Sequence, residues 1–301
     1  MTKIYEKIDC PICKSKKFKV LKKNINPNIS LKEIKKFYLS SSNNEMIDQL
    51  VKCKKCYFVY LNPRVNSKIV LDSYKNNPDK EFVKHNKFRL KSFEYNFIRL
   101  KKYLEIKTIN KYDILDVGTG GGTFLLAVKN LGFKVFGVEP NKWLVKYIKK
   151  KIKLNIMVGT LKDIKKKKYN LICFWDVFEH VTDLNETLLQ CKKTLKKNGK
   201  ILINIPNYGS LARKVLGYKW PFFLNVHLYY FDKKTLTRLL KKHGFKYERS
   251  LLHLQALPIK YVLSRAGFYF NFFNMINKFI PESFNFGIWY NVGQRIFLFK
   301  K

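Results

Sequence analysis

A buried strand that runs directly into a glycine-rich turn restricts most strongly what this chain can fold into. Ile114–Val117 is the strand, residues 118–122 read Gly-Thr-Gly-Gly-Gly, and a helix is predicted over 123–131. Glycines allow positive φ and let the backbone approach a ligand that any Cβ would exclude. The N–H groups at the start of the helix favour an anionic or polar ligand group. The pattern therefore predicts a nucleotide-type strand–turn–helix unit.

Strands and helices alternate from this turn to the end of the chain. A strand that leads into a helix and then a further strand indicates parallel strands with right-handed crossovers. The sequence therefore predicts an α/β fold, a doubly wound sheet. The predicted strands are 114–117, 135–138, 155–158, 171–175, 200–205, 245–251 and 295–299, and helices are predicted over 123–131, 183–197 and 235–243.

An acidic residue ends the second strand of this pattern. Glu139 follows the last glycine of the turn by 17 residues, a position from which a carboxylate can bind both hydroxyls of a ribose. The alternative is a glycine-rich loop beside an incidental acid. NAD and S-adenosylmethionine both fit the turn and the acid.

Further motifs separate these two cofactors. The run 116–122 resembles the first motif of class I S-adenosylmethionine-dependent methyltransferases, and 159–163, 169–181 and 195–207 resemble the later motifs in order and spacing. The resemblance covers about 110–250 and extends to the histidine-containing run 227–231. The chain is similar to a bacterial subgroup with an N-terminal zinc-binding segment, often involved with sugars or cell-surface polysaccharides. This resemblance implies a Rossmann-like seven-stranded sheet whose last strand is antiparallel.

The resemblance also implies roles by position. Asp116 and the turn would lie along the methionine of the cofactor, Glu139 would hold the ribose, and Thr160 and Leu161 would flank the adenine. This chain has Thr160 at a position where many class I enzymes have an aspartate. The implied cofactor-binding residues are Asp116, Gly118, Thr119, Gly120, Gly122, Glu139, Thr160, Leu161, Trp175 and Asp176.

Two histidines are the candidate catalytic residues. His180 follows the fourth strand, at the edge where ligands of such sheets bind, and an imidazole titrates near physiological pH. His227 is a second, substrate-facing candidate. The alternative role for Glu179 and His180 is to cap the next helix. Asp176, Glu179, His180 and His227 also resemble, imperfectly, a carboxylate–histidine arrangement that holds a divalent metal in some methyltransferases, which would suit Mg or Mn.

Four of the six cysteines form two Cys-x-x-Cys pairs. Cys10 and Cys13 make the first pair, and Cys53 and Cys56 make the second after 39 intervening residues. Each pair can place two thiolates on a tetrahedral zinc, and such spacing favours metal binding over a disulfide framework. We therefore predict a small zinc-ribbon-like module. A redox role is the alternative, while Cys173 and Cys191 are expected to be buried packing residues.

The formal net charge of +40 allows more than one interpretation. A/T-rich codon usage accounts for many lysines, but it would also supply acidic residues, of which there are only 21. Nucleic-acid binding or attraction to an anionic membrane are the functional alternatives. The chain lacks a recognisable RNA-binding module, so nucleic acid is not the favoured partner. Without an N-terminal apolar run after Met1, we expect a cytoplasmic protein.

The organisation expected is a zinc-binding module over 1–62, a helical linker over 63–110 and a methyltransferase domain over 111–301. An aromatic-rich insertion at 252–293 is predicted to be a substrate lid, with peripheral membrane contact as the alternative. The function predicted is methyl transfer from S-adenosylmethionine to a small-molecule or glycan acceptor. The rivals are an RNA methyltransferase and a non-catalytic S-adenosylmethionine-binding protein. Neither the acceptor atom nor the oligomeric state follows from the sequence.

Overall fold

The central element is a seven-stranded sheet, seen in a computed structural model of the chain. The structure describes residues 4–24, 30–31, 33, 48–78, 80–154, 156–165, 168–267, 270–281, 284 and 286–301. The strands are β1 Tyr5–Glu6, β2 Phe18–Lys22, β3 Leu50–Cys53, β4 Val59–Leu61, β5 Arg64–Val65, β6 Asp113–Val117, β7 Lys134–Glu139, β8 Ile156–Val158, β9 Tyr169–Trp175, β10 Leu195–Pro206, β11 Tyr229–Tyr230, β12 Lys246–Leu252, β13 Gln255–Pro258, β14 Gly287–Tyr290 and β15 Gln294–Lys300. The helices are α1 Ser67–Asn76, α2 Lys80–Val83, α3 Asn86–Lys101, α4 Thr123–Asn130, α5 Lys142–Tyr147, α6 Leu184–Thr194, α7 Leu211–Leu216, α8 Lys233–Lys242, α9 Ile259–Gly267 and α10 Asn271–Phe279.

The order of strands in the sheet is β12-β15-β10-β9-β6-β7-β8. The pairs among β6 to β10 are parallel, and β15 is antiparallel to both of its neighbours. This confirms the predicted doubly wound sheet with its antiparallel last strand. The direction of winding reverses between β6 and β9, and ligands bind at the carboxyl edge of such a switch point. The predicted strand at 155–158 begins at Ile156, and Asn155 lies outside the described residues.

Local sequence explains where the main helices begin. Asp183 accepts a hydrogen bond from the Glu186 N–H at the start of α6, and Asp232 does the same for the Thr235 N–H at α8. These carboxylates satisfy N–H groups that a helix leaves without intrahelical partners. The helix predicted over 183–197 ends earlier, at Thr194, because β10 begins at Leu195 and pairs with β9.

A small four-stranded sheet joins the cysteine-bearing segment to the rest of the chain. β2, β3 and β4 pair in turn, and β11 adds to the edge of β4. Behind this sheet, the Phe58 ring lies 4.9 Å from the Phe231 ring, which lies 5.6 Å from that of Phe178. The hydrophobic core therefore runs without a break from the cysteine pairs to the loop that follows β9.

The predicted lid over 252–293 folds as β13 and β14, an antiparallel pair, with α9 and α10 between them. Phe268 and Tyr269 of its aromatic run lie outside the described residues. Among the residues that the structure describes, none of the helices combines the length and the apolar character needed to span a membrane.

Candidate functional site

The glycine turn after β6 depends on glycine at its centre. Gly120 has φ +52°, and a Cβ built on it would lie 2.6 Å from a ring carbon of Phe82. Gly118, with φ +70°, would place a Cβ 2.8 Å from Val177, in the loop after β9. The turn therefore brings its backbone against two other segments that no larger residue would allow.

Glu139 ties the end of β7 to this turn. Its side chain is fully buried and accepts hydrogen bonds from the N–H groups of Gly120 (2.9 Å) and Asn141 (2.8 Å). Burial raises the pKa of the Glu139 carboxyl to about 7, although these N–H donors and the Tyr74 hydroxyl act in the opposite direction. Glu139, which the sequence predicts to bind the ribose, thus lies beside the turn in a desolvated position.

A segment before β6 covers the turn. The Asn141 amide donates to the backbone oxygens of Tyr74 (2.7 Å) and Asn77 (2.8 Å), which fixes the end of α1 over this edge of the sheet. Phe82 lies against Gly120, and the Asn86 amide approaches the Gly121 oxygen at 3.5 Å. We call residues 74–78 and 80–86 the strap.

Arg89, one turn of α3 beyond the strap, joins the same region. Its guanidinium donates to the Phe82 oxygen at 2.6 Å and lies 4.2 Å from the centre of the Phe82 ring. Sequence reasoning placed no site residue in this helix. One feature of the sequence could have identified it. Asn86 and Arg89 lie on the same face of the helix as the apolar residues Phe93 and Phe97, and polar residues at such core-facing positions are unusual.

Several buried polar atoms near the carboxyl edge have no hydrogen-bond partner within the described part of the chain. They include Asp116 Oδ1, Thr119 Oγ1 and Trp175 Nε1. Burial, and secondarily the charge of Glu139, raises the pKa of Asp116 well above its usual range. A buried polar atom without a partner costs free energy. These orphaned atoms, together with the glycine turn, fit a site that is completed by a polar ligand.

Asp176 follows β9 in a left-handed backbone conformation, with φ +54°. Its carboxylate accepts from Asn204 Nδ2 (2.8 Å) and Gln294 Nε2 (2.6 Å). Burial raises the pKa of Asp176 to about 7, against the lowering effect of Gln294, Arg89 and Asn204. A non-glycine residue in this conformation stores strain of the kind found at functional sites, and here β10 and β15 hold it in place.

Glu179, His180 and His227 form a compact cluster just beyond Asp176. Their ligand-type atoms all lie within 4.8 Å of one another, and the two imidazole rings are 4.8 Å apart. Both oxygens of Glu179 are buried without a hydrogen-bond partner among the described residues, and burial raises its pKa well above the usual range. The structure thus brings together three of the four residues in the predicted metal arrangement. The fourth, Asp176, is directed at Asn204 and Gln294 instead.

The two imidazoles differ in what surrounds them. His227 Nδ1 lies 2.7 Å from the Phe222 oxygen and His180 Nδ1 lies 2.6 Å from the Val226 oxygen. A carbonyl only accepts, so each Nδ1 carries its hydrogen, and Nε2 of His227 keeps its lone pair. The Asp176 carbonyl is a second neighbour of the His180 ring. Burial lowers the pKa of His180 to about 4 and that of His227 well below its usual range, so both are neutral at neutral pH.

The remaining predicted cofactor residues lie nearby. Thr160 begins a short 3₁₀ turn in which its N–H and hydroxyl both donate to Asp163, and Leu161 is buried in the core. The Trp175 ring packs between Phe93 at 5.2 Å and Phe124 at 5.0 Å. Gly122 ends the turn as the residue before α4, with φ +74°.

The four paired cysteines converge at the other end of the core. Cys10 Sγ lies 3.4 Å from Cys56 Sγ, and Cys13 Sγ lies 3.5 Å from Cys53 Sγ, with all four sulfurs within 4.8 Å of one another. Tetrahedral zinc with Zn–S bonds of about 2.3 Å needs sulfurs roughly 3.8 Å apart. Burial alone would raise the pKa of Cys53, but the N–H groups of Cys56 and Lys55 bring it to about 7. The four thiols match the chemistry of a structural zinc site.

A family model described as a methyltransferase domain matches residues 66–250, more than half of the chain. An ubiquinone biosynthesis O-methyltransferase of Pelagibacter ubique is 30% identical over 125 residues, which is 39% of this chain and 52% of that protein. The enzyme of the same name from Rickettsia prowazekii is 31% identical over 123 residues, or 37% of this chain and 49% of that protein. The chain thus spans about half the length of the curated relatives it matches.

Solved methyltransferase structures also align with this chain. One is an S-adenosylmethionine-dependent methyltransferase from Archaeoglobus fulgidus, with 24% identity, a TM-score of 0.46, and coverage of 74% of this chain and 100% of that one. Another is a magnesium protoporphyrin IX methyltransferase from Synechocystis, with 13% identity, a TM-score of 0.47, and coverage of 75% and 90%.

Proposed function

This chain belongs to the methyltransferase domain family, and on that premise we propose that it transfers a methyl group from S-adenosylmethionine to a hydroxyl oxygen of a small-molecule acceptor. The family confirms the class of enzyme and of cofactor predicted from the motifs. The observation that carries the acceptor proposal is the cluster of Glu179, His180 and His227 at the carboxyl edge. The two named relatives are O-methyltransferases, which supports an oxygen acceptor.

The residues at the glycine turn fit the cofactor. Asp116 would face the methionine ammonium, the backbone of 118–122 would lie along the methionine, and Glu139 would accept hydrogen bonds from the ribose hydroxyls. The bound cofactor supplies a sulfonium-activated methyl group. The contributions of the chain are to orient that methyl group toward the acceptor and to exclude water, with the strap as the covering element.

His227 is the best candidate for the base in this geometry. Its Nδ1 is fixed by the Phe222 oxygen, so its Nε2 can accept the proton that an acceptor hydroxyl must lose. The sequence put His180 first, but two backbone carbonyls lie against the ring of His180. We therefore assign the proton transfer to His227. His180 is assigned a positioning role toward His227 and the acceptor.

Replacing His227 with glutamine should lower methyl transfer by about 10²- to 10⁴-fold, the usual contribution of a positioned base, and leave cofactor affinity unchanged. The measurement is transfer of radiolabelled methyl from the donor to fractionated cell extract and to a panel of phenols and sugars. His243→Gln is the control, because His243 follows α8 and its Nε2 contacts Asn185 Oδ1, at the start of α6. Full activity of the His227 variant would contradict the assignment.

The same panel tests the acceptor class. We propose a sugar hydroxyl, as part of a glycan precursor, as the finer identity of the acceptor. RNA is the rival, because the chain carries a net charge of +40. Label recovered in RNA, together with RNA retention that falls steeply with salt, would replace the small-molecule proposal.

A divalent cation at the same cluster is the alternative to His227 as the base, because metal binding would use the same lone pair on His227 Nε2. One carboxylate and two imidazoles form a ligand set that suits Mn²⁺ better than Mg²⁺, which prefers oxygen ligands. The Nδ1 hydrogen bonds of both histidines to backbone carbonyls are those that orient metal-binding imidazoles. In the transfer assay, added Mn²⁺ should raise the initial rate of the wild-type protein but not of Glu179→Gln. If added Mn²⁺ does not change the initial rate of the wild-type protein, the metal proposal is wrong.

Cofactor affinity should rise with pH between about 6 and 8. Ribose hydroxyls donate to the ionised form of Glu139, whose pKa is about 7 in the free protein. Binding below that pH therefore requires loss of a proton, at a cost of up to about tenfold in affinity per pH unit. Calorimetric titration of S-adenosylmethionine at several pH values is the measurement. Glu139→Gln should bind more weakly and with a shallower pH dependence, and equal slopes would contradict the assigned role of Glu139.

We also propose that the four cysteines bind one structural zinc ion, as in the N-terminal segment of the methyltransferase subgroup that the sequence resembles. The sulfur separations support this proposal. Their position in the core continuous with Phe178 indicates a role in folding rather than in chemistry.

A further inference from the structure

Helix α10 presents an apolar stripe to solvent. Phe272, Met275 and Phe279 are 61%, 53% and 80% exposed. They are spaced i, i+3 and i+7, so they lie on one face of the helix. The opposite side faces α9, where the Asn274 amide donates to the Gly267 oxygen at 3.1 Å. Within the part of the chain that the structure describes, this apolar face of the helix is therefore left exposed.

A second exposed apolar group lies on α7 and the turn after it. Leu211 and Val215 are each 75% exposed, and Tyr218 is 59% exposed. The segments that carry the two groups meet where Lys219 Nζ, next to Tyr218, lies 4.9 Å from the centre of the Phe270 ring, just before α10. We call these two groups together the apolar rim. Large apolar side chains exposed in such numbers on neighbouring segments, with polar residues around them, indicate an interaction surface.

The charge around the apolar rim is positive. No acidic residue occurs between Pro206 and Phe231, a segment that contains Arg213, Lys214 and Lys219. Residues 252–293 contain a single acid, Glu282, against three basic residues, Lys260, Arg265 and Lys278. Aromatic and aliphatic side chains flanked by lysine and arginine match the interface of an anionic lipid bilayer.

We infer that the apolar rim docks on the surface of an anionic phospholipid membrane, with α10 lying in the plane of the interface. A second copy of the chain is disfavoured as the occupant, since pairing two rims would bring two strongly basic surfaces together. The inference goes beyond methyl transfer and does not depend on the acceptor. None of the helices described could span the bilayer, so the contact is peripheral.

Helix α10 of the apolar rim belongs to the insertion at 252–293, and this insertion contacts the strap. The Tyr261 ring of α9 lies 4.4 Å from His85 of the strap, and Trp220 Nε1 donates to the Val292 oxygen at 2.7 Å. Two residues later, Gln294 donates to Asp176. Docking would therefore hold the opening of the site next to the membrane surface, where an acceptor attached to a lipid would be presented.

The test is sedimentation of the full chain with vesicles of phosphatidylglycerol or of phosphatidylcholine. The wild-type protein should bind phosphatidylglycerol vesicles more tightly, and added salt should weaken this binding. The triple variant Phe272→Ser, Met275→Ser, Phe279→Ser should lose at least about tenfold in partitioning, because the apolar contribution to interfacial binding scales with buried area. The matched control is the triple variant Tyr57→Ser, Ile98→Ser, Leu189→Ser, which removes exposed apolar side chains elsewhere and should bind like wild type.

Calorimetric binding of S-adenosylmethionine checks that each variant is folded, and it separates this test from that of the proposed function. The inference is overturned if the wild-type protein does not bind phosphatidylglycerol vesicles, or if the control variant loses as much binding as the rim variant. It is also overturned if the rim variant changes a dimer into a monomer, as shown by sedimentation velocity, and keeps its vesicle binding. In that case a second copy of the chain is the occupant.

Discussion

Substituting Gly120 with valine is expected to reduce S-adenosylmethionine affinity by more than about hundredfold, which corresponds to about 2.7 kcal/mol. The backbone of Gly120 has φ +52°, a conformation that a β-branched residue avoids. Its Cβ would also lie 2.6 Å from Phe82, so the strap would be displaced or the valine would project into the cofactor position. Calorimetric titration of the folded variant with S-adenosylmethionine measures the effect.

Gly217→Val is the matched control for this substitution. Gly217 has φ +54°, nearly the same as Gly120, but a Cβ on it meets no atom within 4 Å. The control therefore also places valine at a positive φ, but without the steric conflict, and it lies at the end of α7 rather than at the turn. Undiminished cofactor binding by Gly120→Val, or an equal loss in both variants, would show that the turn does not hold the cofactor.

The glycine turn and the acid after the second strand are the parts of the site that the sequence could predict. The order of strand, glycine turn, helix and acid is local, and it was enough to place Glu139 beside Gly120, where the two are joined by a 2.9 Å hydrogen bond. Apolar runs in the sequence predicted the other parallel strands of the large sheet, because strands buried on both faces leave such runs. These parts of the fold and site depend on neighbours in sequence.

The parts that could not be predicted depend on contacts between distant residues. The strap residue Phe82 meets Gly120 across 38 positions of sequence, and nothing local marks Phe82 as a site residue. The same holds for Asp176. Its spacing to Glu179 suggested a shared metal, but β15 places Gln294 beside its carboxylate and turns it away from the cluster.

The sheet shared by the cysteine segment and β11 also depends on contacts between distant residues. Loss of zinc from the cysteine segment should therefore destabilise the whole protein. Cys53→Ser should reduce the zinc content from about one ion per chain to none and lower the thermal midpoint of unfolding. Structural zinc sites contribute on the order of 10 kcal/mol or more to folding. Cys53 also ends β3, which pairs with β4 and through it with β11. The measurements are metal analysis of the purified protein and a thermal melt.

Cys191→Ser separates loss of zinc from loss of a buried thiol. Cys191 is as fully buried as Cys53 but belongs to α6 and to no cluster of four sulfurs in the described residues. The control should keep its zinc and lose only modest stability, as is usual for a small change in a packed core. The Cys53 variant should also lose methyl transfer, because Phe58 contacts Phe178 through Phe231, and Phe178 begins the turn that carries Glu179 and His180. If the Cys53 variant retains zinc, the proposed zinc site is wrong. If it loses zinc but keeps full activity, the cysteine segment does not affect the turn that carries Glu179 and His180.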